Sequence, residues 1–176
     1  MNMKNIYAKL TIFFCLILSS CLKENIPLSN VREDYHGDNL RIDGLYHQIT
    51  PDGYIVNVRF YYRNGVQFIM SFSEEITDPA DLIYILTKEN IISERNRKSN
   101  WGIFKVNEND FFSEHWETPI HGNYVATITM TGEILSDTCY IITKTVHSKI
   151  GVFEGRGKWY FYPYSPKPDS TNTFIK

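Results

Sequence analysis

Short runs in which apolar and polar residues alternate dominate the chain from residue 40 onward. These runs are rich in Tyr, Phe, Ile, Val and Thr and are separated by turn residues, a pattern typical of a β-sandwich or β-barrel. Eight candidate strands cover residues 41–49, 54–62, 66–73, 101–106, 111–117, 123–131, 138–146 and 156–162. The sequence therefore predicts a mainly β domain over residues 40–164, an antiparallel up-and-down barrel of about eight strands.

The best-defined pairing is a hairpin between the second and third candidate strands. A two-residue turn at Asn64-Gly65 would place Phe60 and Phe68 on opposite faces of the sheet, because a slip of one residue exchanges the faces. A three-residue loop, Arg63-Asn64-Gly65, pairs Phe60 with Phe68 and gathers the large apolar residues on one face. The apolar match favours this loop over the commoner two-residue turn, with Gly65 at positive φ, which glycine adopts readily.

One segment departs from the strand pattern. Asp78 is a capping residue, and Pro79 follows it at the position that proline favours in a helix. Apolar residues within 82–86 then fall on one helical face. The sequence predicts a short inserted helix over 79–90, followed by a charged loop over 93–100. The alternative is another strand, since several residues within 82–86 also favour an extended backbone.

The first 20 residues have the architecture of a secretory signal peptide. Lys4 and Lys9 supply positive charge, residues 10–18 form a short apolar run, and small residues follow. A membrane-spanning helix needs about 20 apolar residues, more than this run contains. Residues 1–20 are therefore predicted to be removed from the mature protein.

The tetrapeptide Leu18-Ser19-Ser20-Cys21 resembles the lipobox of bacterial lipoproteins. The resemblance implies cleavage before Cys21, acylation of that residue with fatty chains such as palmitate, and stable anchoring to a membrane of the cell envelope. Leu22, not Asp, follows the cysteine, and by analogy with sorting in enteric bacteria we expect the outer membrane. An ordinary signal peptide with a chance cysteine after the cut is the alternative.

Two polar segments flank the predicted barrel. Residues 21–39 lack periodicity and contain proline and glycine, so they predict a flexible tether between the lipid and the domain. Residues 165–176 predict a polar tail, in which Phe174 and Ile175 are the residues able to fold back onto the domain.

Charge and cysteine content narrow the function classes. The formal net charge is −2, and the signal peptide carries two of the 18 basic residues but none of the 20 acidic ones. Nucleic-acid-binding proteins are usually basic with clustered Lys and Arg, so nucleic acid is not an expected partner. Cys15 leaves with the signal peptide and Cys21 carries the lipid. Only Cys139 remains, and no internal disulfide is expected.

One group of residues combines side-chain types that bind metal ions. His115 and Glu117 share one strand face, and His121 follows four residues later. A zinc site needs three or four converging ligands, and a pair of polar residues on an exposed strand is common. We therefore expect neither a metal nor another cofactor.

Candidate catalytic groups are equally sparse. The carboxylate pairs Glu74-Glu75 and Glu114/Glu117 are expected to be solvated, and Cys139 lies in an apolar run where a buried, inert thiol is expected. The sequence contains no nucleophile elbow, zinc-protease motif, phosphate-binding loop or dinucleotide fingerprint. We expect no catalytic residue and no enzymatic activity.

Four short stretches resemble known β-barrel proteins. Residues 43–46 are similar to the Gly-x-Trp motif that opens lipocalins, with Tyr46 in place of the tryptophan. Residues 101–104, 132–138 and 167–170 resemble uncharacterised small bacterial lipoproteins with lipocalin-like domains. The resemblance implies a lipocalin-like or calycin-like barrel and an envelope location, and it carries no catalytic residues.

The abundance of aromatic residues raises the question of a ligand. The chain contains 12 Tyr, 11 Phe and 3 Trp, and the interior of an eight-stranded barrel is either filled by side chains or holds one small ligand. The candidate pocket residues are Tyr46, Phe60, Tyr62, Phe68, Trp101 and Trp159. Packing of the core is the alternative use of the same residues.

Two hypotheses follow for a protein of this composition. The first is a membrane-anchored, lipocalin-like module that binds a small apolar or aromatic molecule. The second is a non-enzymatic accessory or structural subunit of an envelope protein complex, acting through its outer surface. A cavity of several hundred Å³ with an open mouth favours the first, and a filled interior beside a broad apolar patch favours the second.

Overall fold

The computed structural model describes residues 26–117 and 126–176. Its strands are β1 (Gly44–Ile49), β2 (Ile55–Tyr61), β3 (Val66–Ile76), β4 (Trp101–Asn107), β5 (Asp110–Glu117), β6 (Ala126–Ser136), β7 (Cys139–His147) and β8 (Gly151–Pro163). Each strand pairs with its neighbours in the chain, and β8 pairs with β1 to close the barrel. All pairs are antiparallel. The predicted mainly β barrel of about eight strands is confirmed.

The hairpin of β2 and β3 has the predicted register. Phe60 lies opposite Phe68 and Val58 opposite Met70. Gly65 has a φ of +72°, the left-handed conformation that the last residue of a three-residue loop needs. The three-residue loop is therefore confirmed.

The connection between β3 and β4 contains the predicted short helix, divided into several pieces. The Asp78 side chain accepts a 2.8 Å hydrogen bond from the Ala80 N–H and caps a 3₁₀ turn at Pro79–Asp81. Helix α1 (Leu82–Ile85) continues from it. At Leu86 the backbone leaves the helical region, with ψ at 50°.

A second helix begins directly after this break. Thr87 caps α2 (Lys88–Arg95) by accepting a hydrogen bond from the Asn90 N–H. The prediction of one helix over 79–90 and a loop from residue 93 is wrong in this detail, because Thr87 starts a new helix that runs to Arg95. The break allows apolar residues from both helices to reach the same surface of the barrel.

The buried side chains form two separate clusters, one on each side of the barrel wall. The interior cluster contains ring pairs from strands that are not neighbours, such as Tyr61 with Tyr140 at 6.0 Å and Phe111 with Tyr140 at 4.4 Å. Only side chains inside the barrel can meet in this way. The exterior cluster joins Phe60 and Phe68 to Leu82 and other residues of the two helices, so it lies outside the wall.

The exterior cluster is covered by both ends of the described chain as well as by the helices. Leu28 on the N-terminal side and Phe174 and Ile175 on the C-terminal side pack against it. The predicted folding back of Phe174 and Ile175 is therefore present in the structure. Because the wall is covered on its outside, these strands bury large residues on both faces.

The segment predicted as a tether is bound to the barrel from Ile26 onward. The Trp116 indole donates a 2.7 Å hydrogen bond to the Ile26 carbonyl. Ser29 and Asn30 bind the Glu114 carboxylate, and Tyr35 is buried in the interior cluster. Residues 26–39 are thus part of the folded domain, and the polar composition alone did not reveal these contacts.

The predicted signal peptide, the lipobox with Cys21 and residues 22–25 lie outside the described residues. So does the 118–125 connection, which includes the start of the predicted strand at 123–131. Among the described residues, no helix combines the length and the apolar character that a membrane crossing requires.

Candidate functional site

The six predicted pocket residues are all buried, but they do not surround one space. Phe60, Tyr62, Phe68 and Trp101 belong to the exterior cluster, whereas Tyr46 and Trp159 belong to the interior cluster. The barrel wall therefore separates the six residues into two groups.

The end of the barrel near Tyr35 is filled by aromatic side chains. Tyr61 and Tyr140 share a 2.6 Å hydrogen bond between their hydroxyl groups, and the Tyr46 hydroxyl donates to the Asp137 carbonyl at 2.6 Å. Burial raises the pKa of Tyr61 and of Tyr140, so both stay neutral hydrogen-bonding groups. This half of the interior is a packed core.

Arg59 lies in the middle of the interior and is only 3 % exposed. Its Nη1 donates to Ser113 Oγ at 3.2 Å and lies 3.5 Å from Gln67 Oε1. Its Nη2 contacts Met130 Sδ at 3.0 Å, and the guanidinium stands 4.6 Å from the centre of the Trp159 ring. Every one of these partners is electrically neutral.

His115 lies next to Arg59 on the interior side. Burial, and then the positive charge of Arg59, lower the pKa of His115 to about 3, so the imidazole is neutral at physiological pH. Its Nδ1 has no hydrogen-bond partner among the described residues, and neither has Arg59 Nε. Two buried polar atoms in one region therefore have no partner among the described protein groups, a feature that calls for an explanation.

Of the three side chains weighed as metal ligands, His115, Glu117 and His121, the structure describes the first two. The Glu117 carboxylate and the His147 imidazole are joined by a hydrogen bond, and His147 is buried at the same end of the barrel. No group of three or more His, Cys, Asp or Glu side chains converges among residues 26–117 and 126–176. His121 lies outside them.

A groove opens where β1 and β8 separate. The two strands pair from Gly44 to Gln48 on β1, and β8 then continues in contact with β7 alone. The resulting groove has a volume of about 840 Å³. Its walls are formed by Gln48, Ile49, Thr50, Pro51, Ile141, Gly155, Gly157, Lys158 and Tyr160.

The wall of the groove contains apolar side chains, and one of its residues is paired with a residue of the interior cluster. Ile49 and Tyr160 are 44 % and 39 % exposed, so both present apolar surface in the wall of the groove. Gln48 is the register partner of Trp159, whose ring carries the Arg59 guanidinium. One wall of the groove is therefore adjacent, within the sheet, to the residue that contacts the buried charge.

The carboxylates and the cysteine considered as catalytic groups have the surroundings of structural residues. The Glu114 carboxylate is 1 % exposed and accepts hydrogen bonds from the N-terminal segment, contrary to the predicted solvated strand face. Cys139 is half-buried, and burial raises the pKa of its thiol. Glu74 and Glu75 are exposed, as predicted.

Sequence reasoning missed Arg59, Gln48 and Glu114 as buried or groove-lining residues. Alternation along a strand indicates that charged positions face solvent, and Arg59 occupies such a position between Val58 and Phe60. A signal was nevertheless present, since Arg59 alternates with Tyr61 on the face opposite Phe60. Large residues on both faces of one strand indicate that both faces are covered.

No protein-family model matches the chain, and no curated protein or solved structure matches it either. The closed antiparallel eight-stranded barrel is compatible with a lipocalin-like fold.

Proposed function

We propose that this protein is a lipid-anchored lipoprotein of the bacterial envelope whose barrel binds a small molecule with apolar or aromatic character. The groove between β1 and β8 is the binding site in this proposal. In this proposal the protein is not an enzyme. The polar side chains around the groove are those of glutamine, lysine and tyrosine, and they do not form the arrangement of a nucleophile and a base.

The single observation that carries the proposal is the groove itself. Its volume of about 840 Å³ falls within the range of roughly 300–1,000 Å³ that is usual for small-molecule sites. Ile49 and Tyr160 offer an apolar edge and an aromatic face for stacking, while Gln48 and Lys158 supply polar contacts. That combination suits a molecule with an apolar body and few polar groups.

A neutral fluorescent probe tests the site. N-phenyl-1-naphthylamine is expected to bind the purified domain with enhanced fluorescence. The double variant Ile49→Ser/Tyr160→Ala should bind it at least tenfold more weakly, because both exposed apolar walls are lost.

A matched control is available on the helices. Ile83 and Tyr84 are 62 % and 77 % exposed and lie outside the groove, so Ile83→Ser/Tyr84→Ala removes the same side chains elsewhere. Equal losses in the two double variants, or no binding by the parent protein, would contradict the proposed site.

Anchoring is tested separately in a bacterial host that processes the precursor. Cys21→Ser should leave the domain soluble or the precursor uncut, because the variant lacks the proposed acylation site. Membrane fractionation with mass analysis of the N-terminus measures both outcomes. Firm membrane association of a cleaved Cys21→Ser protein would exclude the lipid anchor.

A further inference from the structure

Arg59 is a buried positive charge without a negative partner in the described structure. No Asp, Glu or C-terminal carboxylate lies within 4.0 Å of its guanidinium among residues 26–117 and 126–176. The undescribed 118–125 segment contains no acidic residue, and the only one in residues 1–25 is Glu24. The neighbouring His115 is neutral and contributes no balancing charge.

An unpaired charge inside a protein is energetically costly. The desolvation cost of a buried ion is several kcal/mol, and a guanidinium keeps its charge in proteins. Ser113, Gln67 and Met130 supply only neutral contacts, and Arg59 Nε has none. A buried unpaired guanidinium is explained physically if a negative charge pairs with it in the functional state of the protein.

The surroundings of Arg59 fit an oxyanion next to an aromatic group. A guanidinium presents donors in a planar fork that matches a carboxylate, and Nε, which has no partner, belongs to that fork. Trp159 covers one face of Arg59 at 4.6 Å. His115 Nδ1, also unpartnered, is a second hydrogen-bonding atom in the same region.

One wall of the groove is adjacent in the sheet to an aromatic neighbour of Arg59. Gln48 lines the groove and is the register partner of Trp159. Its amide lies beside Gly157, where a side chain would come within 2.6 Å of Gln48 Nε2. Glycine at this position leaves room for Gln48, a long and flexible side chain at the strand position that pairs with Trp159, the aromatic neighbour of Arg59.

We propose that the ligand of the groove is an amphiphile with a carboxylate, and that Arg59 binds this carboxylate while the apolar body occupies the groove. This inference rests on the proposed function and adds the chemical class of the ligand. Arg59 is a ligand-binding residue in this assignment, Trp159 holds its guanidinium plane, and Gln48 separates the charge from the groove until the ligand enters.

Two probes of equal shape test the assignment. Isothermal titration calorimetry compares 1-naphthoate, which carries a carboxylate, with the neutral 1-naphthylmethanol, on the parent protein and on Arg59→Met. The parent is expected to bind 1-naphthoate at least tenfold more tightly than the alcohol. Arg59→Met should lose this preference and keep its affinity for the alcohol.

The outcomes separate the two proposals. Equal affinities of the parent for both probes, or a preference that persists in Arg59→Met, would overturn the assignment of Arg59 and leave the groove in place. Absence of binding by both probes would overturn the groove and the Arg59 assignment together.

Stability provides an independent readout. Replacing an unpaired buried charge by an apolar residue of similar length often stabilises a protein, so Arg59→Met without ligand is expected to have a higher Tm than the parent. A purely structural arginine would give a lower Tm. If Arg59→Met fails to fold, Arg59→Lys is the second variant. Its preference for 1-naphthoate should fall at least threefold because the fork is lost, and an unchanged preference would overturn the assignment.

Discussion

Gly65 combines a positive φ with a close backbone neighbour. Its φ is +72°, and a Cβ built there would lie 1.9 Å from the Glu33 carbonyl oxygen. The conformation alone disfavours alanine by about 1 kcal/mol, and the contact with the N-terminal segment adds a steric clash. This glycine is therefore required both by the loop and by the chain packed against it.

We expect Gly65→Ala to destabilise the protein by more than about 1 kcal/mol, measured as a shift of the denaturant midpoint. Asn64→Ala is the matched control. Asn64 donates to Ser170 Oγ at 3.1 Å, and its Oδ1 accepts from the Val66 N–H at 3.3 Å, so its loss should cost about 1 kcal/mol or less. Equal losses at both positions would contradict the three-residue loop.

His115 makes the stability of the fold depend on pH. Its folded pKa is about 3 because burial and Arg59 disfavour the charged form, whereas an unperturbed histidine titrates near 6.5. Between these values the unfolded chain binds a proton that the folded protein does not, so stability falls as the pH is lowered. Above about pH 7 both states are neutral and this effect vanishes.

Unfolding free energies at pH 7 and pH 5 measure the effect. His115→Gln should reduce the loss of stability between these values by about 2 kcal/mol, the protonation free energy of an unfolded histidine over this range. His47, whose pKa burial also lowers, is present in both proteins and cancels in the comparison. The same change in the exposed His36→Gln would show that His115 is not the cause.

At the scale of elements, one carboxylate fixes the N-terminal segment to the barrel. Glu114 on β5 accepts hydrogen bonds from Ser29 N–H at 2.8 Å, Ser29 Oγ at 2.7 Å and Asn30 N–H at 3.0 Å. Buried hydrogen bonds to a charged group are stronger than those between neutral groups. The segment thus behaves as a packed element without regular secondary structure.

Glu114→Ala is expected to leave these donors unpaired and to destabilise the domain by about 2 kcal/mol or more. Limited proteolysis should then cut within residues 26–34 faster than in the parent. Glu74→Ala, at an exposed glutamate, is the control and should change neither quantity. Unchanged protection in Glu114→Ala would mean that the other contacts of the segment are sufficient to hold it.

The elements of this fold were predictable where local chemistry decides them. The apolar alternation defined β2 and β3, and Asp78-Pro79 defined the start of the helical region. The break at Leu86 was not predictable, because it depends on both helices packing on the exterior cluster. Contacts of the N-terminal segment were missed for the same reason, since they join residues about 85 positions apart.

At the scale of the whole molecule, the barrel was predictable but its inside and outside were not. A period of two separates the faces of a strand without saying which face is enclosed. The sequence reasoning assigned Phe60 and Phe68 to the candidate pocket, yet helices and chain ends cover them on the outside. For the same reason, the burial of Arg59 inside the barrel could not be predicted, and the proposed class of ligand depends on this residue.

The two ends of the described chain come together on one side of the barrel. Pro27 and Leu28 line the same surface depression as Phe174 and Ile175, and β1 and β8 are hydrogen-bonded neighbours. Because the barrel is closed and the chain ends are close together, the chain could start at another strand without changing the order of the strands around the barrel.

A circular permutant is expected to fold, with residue 176 joined to residue 26 by a short glycine-serine linker and new termini between Asp52 and Gly53 in an exposed turn. Such a molecule would present the mouth of the groove beside its new termini, where a fluorescent protein fused there could report occupancy of the groove directly.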